Sequence, residues 1–356
     1  MTSKRKKQQR ALISNIIFST ITLISLTISI VFVIFNLNLK KDVEQVRKEN
    51  QNLFEYSQTH KYTQEDMDAL EFNAKQESSE KTEQLLAQIR NIMDEGNSAY
   101  YLLRTLYPDE IVVVSNTGFD FYPIDKNLKL NTYNLDSFKQ DDETKEIIYD
   151  NPSDNVKAHK SIDVSSFNEK IDWKKVAESD VDYAIIRCGY RGSSEGKLML
   201  DSTFEYNLNQ ANENDVPAGV YFFSQAISEE EAVEEAQYVL EAVSDYDLEL
   251  PIAIDVEKLE GRTDLLTKDE RTDYTIAFLE EIKKSGYDVM IYGNLNTFMA
   301  MLDIKRLEDY PKWFAYYSNP VYFPYEFDVW QYTDTGTVDG IKGKVDINIC
   351  MKEYVK

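Results

Sequence analysis

The chain has few of the residue types on which metal and redox sites depend. Its 356 residues include only two cysteines, Cys188 and Cys350, and two histidines, His60 and His159. Two widely separated cysteines make neither a disulfide framework nor a metal motif, and we expect buried free thiols. Zinc or triad chemistry based on histidine is also poorly supplied. The sequence therefore predicts no metal and no cofactor.

Positive charge is scarce as well. Lys+Arg number 39 against 63 for Asp+Glu, which gives a net charge of −24. The first ten residues hold five basic side chains and no acid, so the remainder carries −24 − 5 = −29. So acidic a body repels phosphate groups. We expect neither nucleic acid nor an anionic lipid surface as its partner.

Charge is missing altogether from residues 11–39, where Ile, Leu, Val and Phe dominate. At about 1.5 Å per residue, such a helix exceeds the ~30 Å hydrocarbon core of a bilayer. We therefore predict a single transmembrane helix over 11–37. A cleaved signal peptide is the alternative, but no small-x-small cleavage site precedes Lys40 and Lys41. The basic residues 1–10 predict a cytoplasmic tail, which places everything beyond the helix outside the cytoplasm.

Residues 38–95 are highly charged and lack proline, which predicts a helical stalk. Leu39, Val43, Val46, Asn50 and Leu53 follow alternating steps of four and three, the spacing of the contact seam of a coiled coil. Polar residues then interrupt the seam at Ser57, His60 and Thr63. A coiled coil and a lone solvated helix both remain open. The first would allow a homodimer through the stalk, or a partner in a cell-envelope complex.

Residues 96–156 predict a small α+β spacer region. The run 110–114 is rich in valine and isoleucine, as strands are, and the turn signal 115–118 follows it. The polar stretches 141–144 and 151–155 predict a hinge before the next domain. We find no chemical motif in this region.

From 157 to 356 the pattern changes to strands that alternate with helices, which predicts an α/β fold. The clearest helices are Glu229–Val243 and Lys268–Lys284. Eight candidate strands end near Asp163, Arg187, Phe223, Glu257, Tyr292, Ala315, Tyr332 and Ile349. Eight strands favour a TIM-like β/α barrel. A doubly wound sheet is the alternative, but no glycine-rich phosphate turn follows the first strand.

The apolar run 251–256 delivers two carboxylates, Asp255 and Glu257, at its end. Side chains two apart on a strand point the same way, with Cα atoms roughly 6.5–7 Å apart. Like charges so close raise the pKa of one acid, and such a pair can protonate a glycosidic oxygen and stabilise the sugar. Acid pairs at strand ends also solvate loops or cap helices, so the pair alone decides nothing.

Other polar residues join this pair if the barrel closes. Its first and last strands are then neighbours, which brings Asp163 and Asp346 to the mouth that holds Asp255 and Glu257. Predicted substrate-binding residues at the same strand ends are Arg187, Tyr221, Tyr292, Trp313, Tyr317, Trp330, Gln331 and Tyr332. These predict a carbohydrate cleft. Two alternatives remain open. Arg187 is then a structural ion-pair partner, and Trp330 and Tyr332 are then aromatic residues of the core.

The order of motifs over about 160–356 resembles glycoside hydrolase family 25, the N-acetylmuramidase lysozymes. The motifs are Ile162-Asp163-Val164-Ser165-Ser166-Phe167, Ile171-Asp172-Trp173, Ile185-Ile186-Arg187-Cys188-Gly189-Tyr190, Gly219-Val220-Tyr221-Phe222-Phe223, Ile254-Asp255-Val256-Glu257, Ile291-Tyr292-Gly293-Asn294, Trp313-Phe314-Ala315-Tyr316-Tyr317, Trp330-Gln331-Tyr332 and Val345-Asp346-Ile347-Asn348. One departure is Ser161, where the family usually has glycine.

The resemblance implies a distorted β/α barrel with fewer helices than strands. It implies that Glu257 is the general acid/base, and that Asp255 is either nucleophile or the group that orients the substrate's acetamide. Asp163 and Asp346 would contribute hydrogen bonds and hold the pKa of Glu257 high. The expected function is a membrane-anchored hydrolase of peptidoglycan. A non-catalytic peptidoglycan-binding scaffold and a chitinase-like glycosidase are the alternatives.

Overall fold

The structure, a computed structural model, describes residues 2–59, 63–115, 117–258 and 260–355. Two residues of the patterns above, His60 of the seam and Asn116 of the turn, lie outside these ranges. The chain divides into two compact units, residues 1–108 and 109–356. Most of the predicted spacer, residues 109–156, falls in the same unit as the barrel.

The first unit is helical. It contains α1 (Thr2–Thr59), α2 (Gln64–Asp94) and α3 (Ala99–Leu106). Thr63 starts α2 with a capping box, in which its hydroxyl and the Asp66 carboxylate each accept from the other's backbone N–H. Ile89 and Ile92 of α2 pack against Leu102 of α3.

The seam predicted from the heptad-like spacing lies beside another helix of the same chain. Its residues on α1, from Leu39 to Leu53, line a groove of about 560 Å³ together with Met67 and Leu70 of α2. A dimer through the stalk stays a prediction. Within the described residues, the helical stretch Ile17–Tyr56 is long and apolar enough to cross a membrane, a test that an N-terminal signal sequence also passes.

The second unit begins with two small antiparallel hairpins that pack on the barrel. They are β1 (Glu110–Ser115) with β2 (Gly118–Pro123), and β3 (Phe138–Gln140) with β4 (Ile147–Tyr149). The hydroxyl of Tyr322 accepts from Val112 N at 2.9 Å, and Phe138 lies edge-on to Trp330, 5.3 Å between centroids. The strands β3 and β4 flank part of the predicted hinge and anchor it to the barrel.

All eight predicted barrel strands are confirmed. They belong to a sheet of nine strands, β5 (His159–Val164), β6 (Tyr183–Arg191), β7 (Leu198–Leu200), β8 (Ala218–Phe223), β9 (Ile252–Asp255), β10 (Val289–Asn294), β11 (Lys312–Ala315), β12 (Val329–Gly336) and β13 (Val345–Cys350). β7 adds a hairpin to β6 and stands outside the ring. The other eight form a ring that closes through β5 and β6. Seven run parallel, while β13 is antiparallel to both of its neighbours, β12 and β5.

Helices cover the ring incompletely, as expected. They are α4 (Trp173–Ala177), α5 (Phe204–Glu213), α6 (Glu229–Val243) and α7 (Lys268–Lys284), so the described part of the barrel has four helices for eight strands. α6 and α7 have the predicted bounds, and Ser228 and Thr267 cap their N-termini. Side chains such as Ile185, Ala253 and Met290 fill the barrel interior. The mouth above them is left for polar groups.

Phe138 tests whether the hairpins stabilise the barrel. We expect Phe138→Ala to lower the free energy of unfolding by about 3 kcal/mol, since it removes a buried ring that packs on Trp330. Thermal unfolding of the purified chain in detergent measures this. Ile148→Ala is the matched control, because Ile148 on β4 is 61% exposed and should cost under about 0.5 kcal/mol. Equal stability of the two variants would contradict the packing role.

Candidate active site

One pocket of about 190 Å³ lies at the barrel mouth, where the parallel strands end. Its lining is Asp163, Tyr221, Asp255, Glu257, Tyr292, Trp313, Tyr317, Gln331 and Asp346. The four acids singled out from the sequence are all here, with five of the eight predicted substrate-binding residues. The other three, Arg187, Trp330 and Tyr332, lie outside it.

Asp163 and Asp346 meet because the last strand is reversed. They are directly paired in the register of β5 and β13. Asp163 comes near the end of its strand and Asp346 near the start of its own. Antiparallel pairing brings that start to the same mouth as the ends of the parallel strands.

Asp255 and Glu257 come from the end of β9. The strand ends at Asp255. The Asp255 carbonyl accepts a hydrogen bond from Ser224 N, and the Val256 carbonyl accepts one from the Thr297 hydroxyl. Asp255 is buried, and within the described part of the chain its Oδ1 has no hydrogen-bond partner. Burial, then the charge of Glu257, raises the pKa of Asp255 well above its usual range. Burial also raises the pKa of Glu257, which favours a protonated carboxyl at this point.

Two amides fix the orientation of Asp163. Its Oδ2 accepts from Gln331 Nε2 at 2.9 Å and from Asn348 Nδ2 at 3.0 Å. The amides are themselves held, because the hydroxyls of Tyr292 and Tyr317 donate to Gln331 Oε1. These bonds leave little freedom to the Asp163 carboxyl or to Gln331.

Asn348 is a residue of this network that the sequence reasoning missed. Trp313 Nε1 donates to its Oδ1 at 2.7 Å, while its Nδ2 reaches Asp163. The signal was present, since Asn348 is two residues after Asp346 and so faces the same side of a strand. The pairing of Asn348 with Ser161 in the register places it one layer below the acids.

The four acids lie in a region where ionisation is costly. Burial and the charge of Asp346 raise the pKa of Asp163 well above its usual range, against the lowering effect of the two amides. Burial, Asp334 and Glu257 raise the pKa of Asp346 to about 6. The pocket therefore holds protons that exposed acids would have lost.

Arg187 forms an ion pair beside the pocket. Its Nε and Nη2 lie 2.7 Å and 2.6 Å from Asp201 Oδ2, and Nη2 donates to the Ser166 hydroxyl at 3.0 Å. The structure thus favours the ion-pair alternative over direct substrate binding. Asp201, its fully buried partner, was not foreseen. The charge of Arg187 still acts on the site, because it opposes the rise in the pKa of Asp255.

Trp330 and Tyr332 correct the predicted cleft. Both are buried, and Trp330 Nε1 donates to the Tyr316 carbonyl at 2.7 Å. Neighbours on a strand alternate faces, so Gln331 turns inward while Trp330 and Tyr332 turn to the outer layer. Neither ring offers a face to a sugar in the pocket.

Active sites of β/α barrels lie at the C-terminal mouth of the strands, and glycoside hydrolases use a pair of carboxyl groups for their chemistry. The family model "Glycosyl hydrolases family 25" matches residues 162–341, just over half of the chain. The chain belongs to this family. It is a glycoside hydrolase by class.

Two curated proteins and one solved structure show how far the likeness extends. The chain is 29% identical over 191 residues to "Uncharacterized protein YegX" of Escherichia coli K12, which covers 53% of this chain and 68% of that one. It is 28% identical to the "Autolytic lysozyme" of Clostridium acetobutylicum, in an alignment that covers 53% of this chain and 55% of that protein. The modular autolysin LytC of Streptococcus pneumoniae has the same fold, with a TM-score of 0.50, 24% identity, and 68% and 57% covered. The chain thus spans little more than half of the two last proteins.

Asp346 allows the cost of the buried acids to be measured. The pKa of this carboxyl rises from 3.8 to about 6 on folding. The free energy of unfolding of the protein therefore falls as the pH rises through that interval. We expect Asp346→Asn to raise the free energy of unfolding by roughly 2 kcal/mol at pH 7 and to change it little at pH 4. Thermal unfolding at both pH values measures this. Asp339→Asn is the control, since that side chain is 79% exposed; a pH-independent effect of Asp346→Asn would contradict the assignment.

Proposed function

We propose that this chain is a membrane-anchored peptidoglycan hydrolase, which cleaves the β-1,4 bond between N-acetylmuramic acid and N-acetylglucosamine. The observation that carries the proposal is the convergence of Asp163, Asp255, Glu257 and Asp346 in one pocket. Family membership supports it, as does the name of the lysozyme relative. The LytC autolysin has also been solved in complex with a synthetic peptidoglycan ligand.

Glu257 supplies the proton in this proposal. Burial raises its pKa, which favours the protonated carboxyl that can donate to the glycosidic oxygen. The resulting carboxylate can then take a proton from the water that completes hydrolysis. Glu257 remains partly exposed, which lets the substrate reach it.

In its ionised form, which the charge of Arg187 favours, Asp255 can stabilise the positive charge that develops at the anomeric carbon in the transition state. Its buried Oδ1 has no hydrogen-bond partner among the residues that the structure describes, so that atom is available to a substrate group. Two roles fit. Asp255 attacks the anomeric carbon, or it accepts a hydrogen bond from the substrate's acetamide and orients it.

Asp163 and Asp346 shape the potential around that pair. Asp163 is fixed by Gln331 and Asn348, and Asp346 interacts electrostatically with Glu257. Added negative charge near a carboxyl favours its protonated form. The aromatic rings of Tyr292, Trp313 and Tyr317 complete the pocket wall, where the apolar faces of sugar rings can pack.

In this proposal the N-terminal helix anchors the chain in the membrane. The uncharged segment 11–39 gives α1 the length to span a bilayer, and basic residues before it favour a cytoplasmic N-terminus. A barrel tethered in this way reaches only the wall near the membrane. That restriction favours local remodelling, or the opening of a passage for a secretion or conjugation machine, over bulk lysis.

Glu257→Gln tests the catalytic assignment. The substitution keeps the shape of the side chain but removes the transferable proton, so we expect a loss of about 10³-fold in the release of reducing ends from purified peptidoglycan. Glu260→Gln is the matched control, an exposed acid three residues further on, and should retain wild-type activity. Wild-type protein that binds glycan without new reducing ends would favour the scaffold. Cleavage of chitin oligomers at an equal rate would favour the chitinase.

The anchor is tested by fractionation. We expect the full-length chain to stay in the membrane fraction after an alkaline wash and to keep its N-terminal peptide by mass spectrometry. A variant without residues 11–37 should become soluble. Recovery of wild-type protein that is soluble and shortened at its N-terminus would show a signal peptide instead.

A further inference from the structure

An exposed aromatic ring lies on a hydrogen-bonded turn that follows β5, the strand that carries Asp163. Phe167 is 86% exposed and lies in the short 3-10 turn Ser166–Asn168, directly after β5. Single exposed apolar side chains are common on protein surfaces and need no function. The turn that carries Phe167 is nevertheless tightly built.

Buried polar groups on both sides of Phe167 hold this turn in place. Ser165 N donates to Asn168 Oδ1 at 2.9 Å, and Phe167 N donates to the Ser165 hydroxyl. Asn168 Nδ2 also donates to the Lys344 carbonyl, which ties the turn to the segment before β13. The backbone of Phe167 is thus preorganised, which lowers the entropy cost of binding on its ring.

The Phe167 ring also contacts the guanidinium group of Arg187. The guanidinium carbon of Arg187 lies 4.9 Å from the centroid of Phe167 and 5.5 Å from that of Tyr190. The ion pair with Asp201 in turn fixes Arg187. One side of the Phe167 ring is therefore occupied by a cation, and most of the remaining surface faces solvent.

This aromatic lies close to the reacting groups. Arg187 is paired in register with Tyr221, a residue that lines the pocket, so the two side chains point to the same side of the sheet. Arg187 is also near enough to lower the pKa of Asp255. Phe167 follows Asp163 by four residues. The ring thus lies at the rim of the same mouth.

We propose that Phe167, backed by Arg187, is a stacking platform for a further sugar ring of the glycan strand that is cut in the acid pocket. The inference rests on the proposed function, because it assumes a glycan in that pocket. A polymeric substrate continues beyond the scissile bond, and the C–H face of its next pyranose ring can pack on an exposed phenyl ring. Such a contact makes cleavage depend on chain length.

Glycan strands of defined length test the proposal. The full-length chain in detergent is assayed on peptidoglycan-derived tetrasaccharides and on strands of ten or more sugars. We expect Phe167→Ala to lower the ratio of kcat/KM for long over short substrates about tenfold, the loss expected when one well-packed ring contact is removed. Phe167→Trp should keep the ratio of the wild type. Ile148→Ala, which removes an exposed apolar side chain elsewhere, should also keep it.

A binding measurement separates this inference from the proposed activity. In the Glu257→Gln background, Phe167→Ala should weaken the Kd for long strands about tenfold, whether or not the wild type hydrolyses them. An unchanged Kd, or an unchanged ratio of kcat/KM, would overturn the platform. Equal losses in Phe167→Ala and Phe167→Trp with a lowered Tm would also overturn it, since they would show a structural role for the turn.

Discussion

The pairing of β13 with β5 is the contact on which the rest of the site depends. Together with the pairing of β5 and β6 it completes the ring of strands, and it sets Asp346 opposite Asp163. Because β13 runs against its neighbours, residues at its start reach the mouth that the parallel strands reach with their ends. Alternation along β13 then sends Asp346 and Asn348 inward, while Ile347 and Ile349 pack in the outer core. One strand thus supplies an acid, the amide that orients another acid, and part of the hydrophobic layer.

The same arrangement has a cost in stability. Carboxyl groups without full compensation are expensive to bury, and the pKa values of Asp163, Asp255 and Asp346 are all raised. Compensation is uneven among them. Asp163 accepts two amide hydrogen bonds, whereas one oxygen of Asp255 accepts none. The least satisfied acid is also the one nearest in sequence to Glu257, where unmet hydrogen-bonding capacity is available to a substrate.

Much of this could be predicted from the sequence, because strand periodicity and strand ends are local properties. The eight barrel strands and the bounds of α6 and α7 followed from such patterns. What failed depended on partners distant in the chain. No local pattern shows that Asp201 pairs with Arg187, or that the hairpin residue Phe138 covers Trp330. Trp330, Gln331 and Tyr332 are consecutive on one strand, so their side chains cannot all face the pocket. Alternation along the strand therefore excludes part of the predicted substrate-binding set.

The charge balance of the pocket explains why one of its acids keeps a proton. Four carboxyls line a small volume, and Arg187, a cation that acts on Asp255, is already neutralised by Asp201. If all four were ionised, each would raise the free energy of the others in a partly buried site where water screens poorly. The ionisation of each acid therefore depends on that of the others, and the protonated form is favoured at all four positions. Glu257 lies after the end of its strand, and it is only partly buried, as is Asp346, whereas Asp163 and Asp255 are buried. Position on the strand thus separates the two acids that a substrate can reach most easily from the two that lie deeper in the ring.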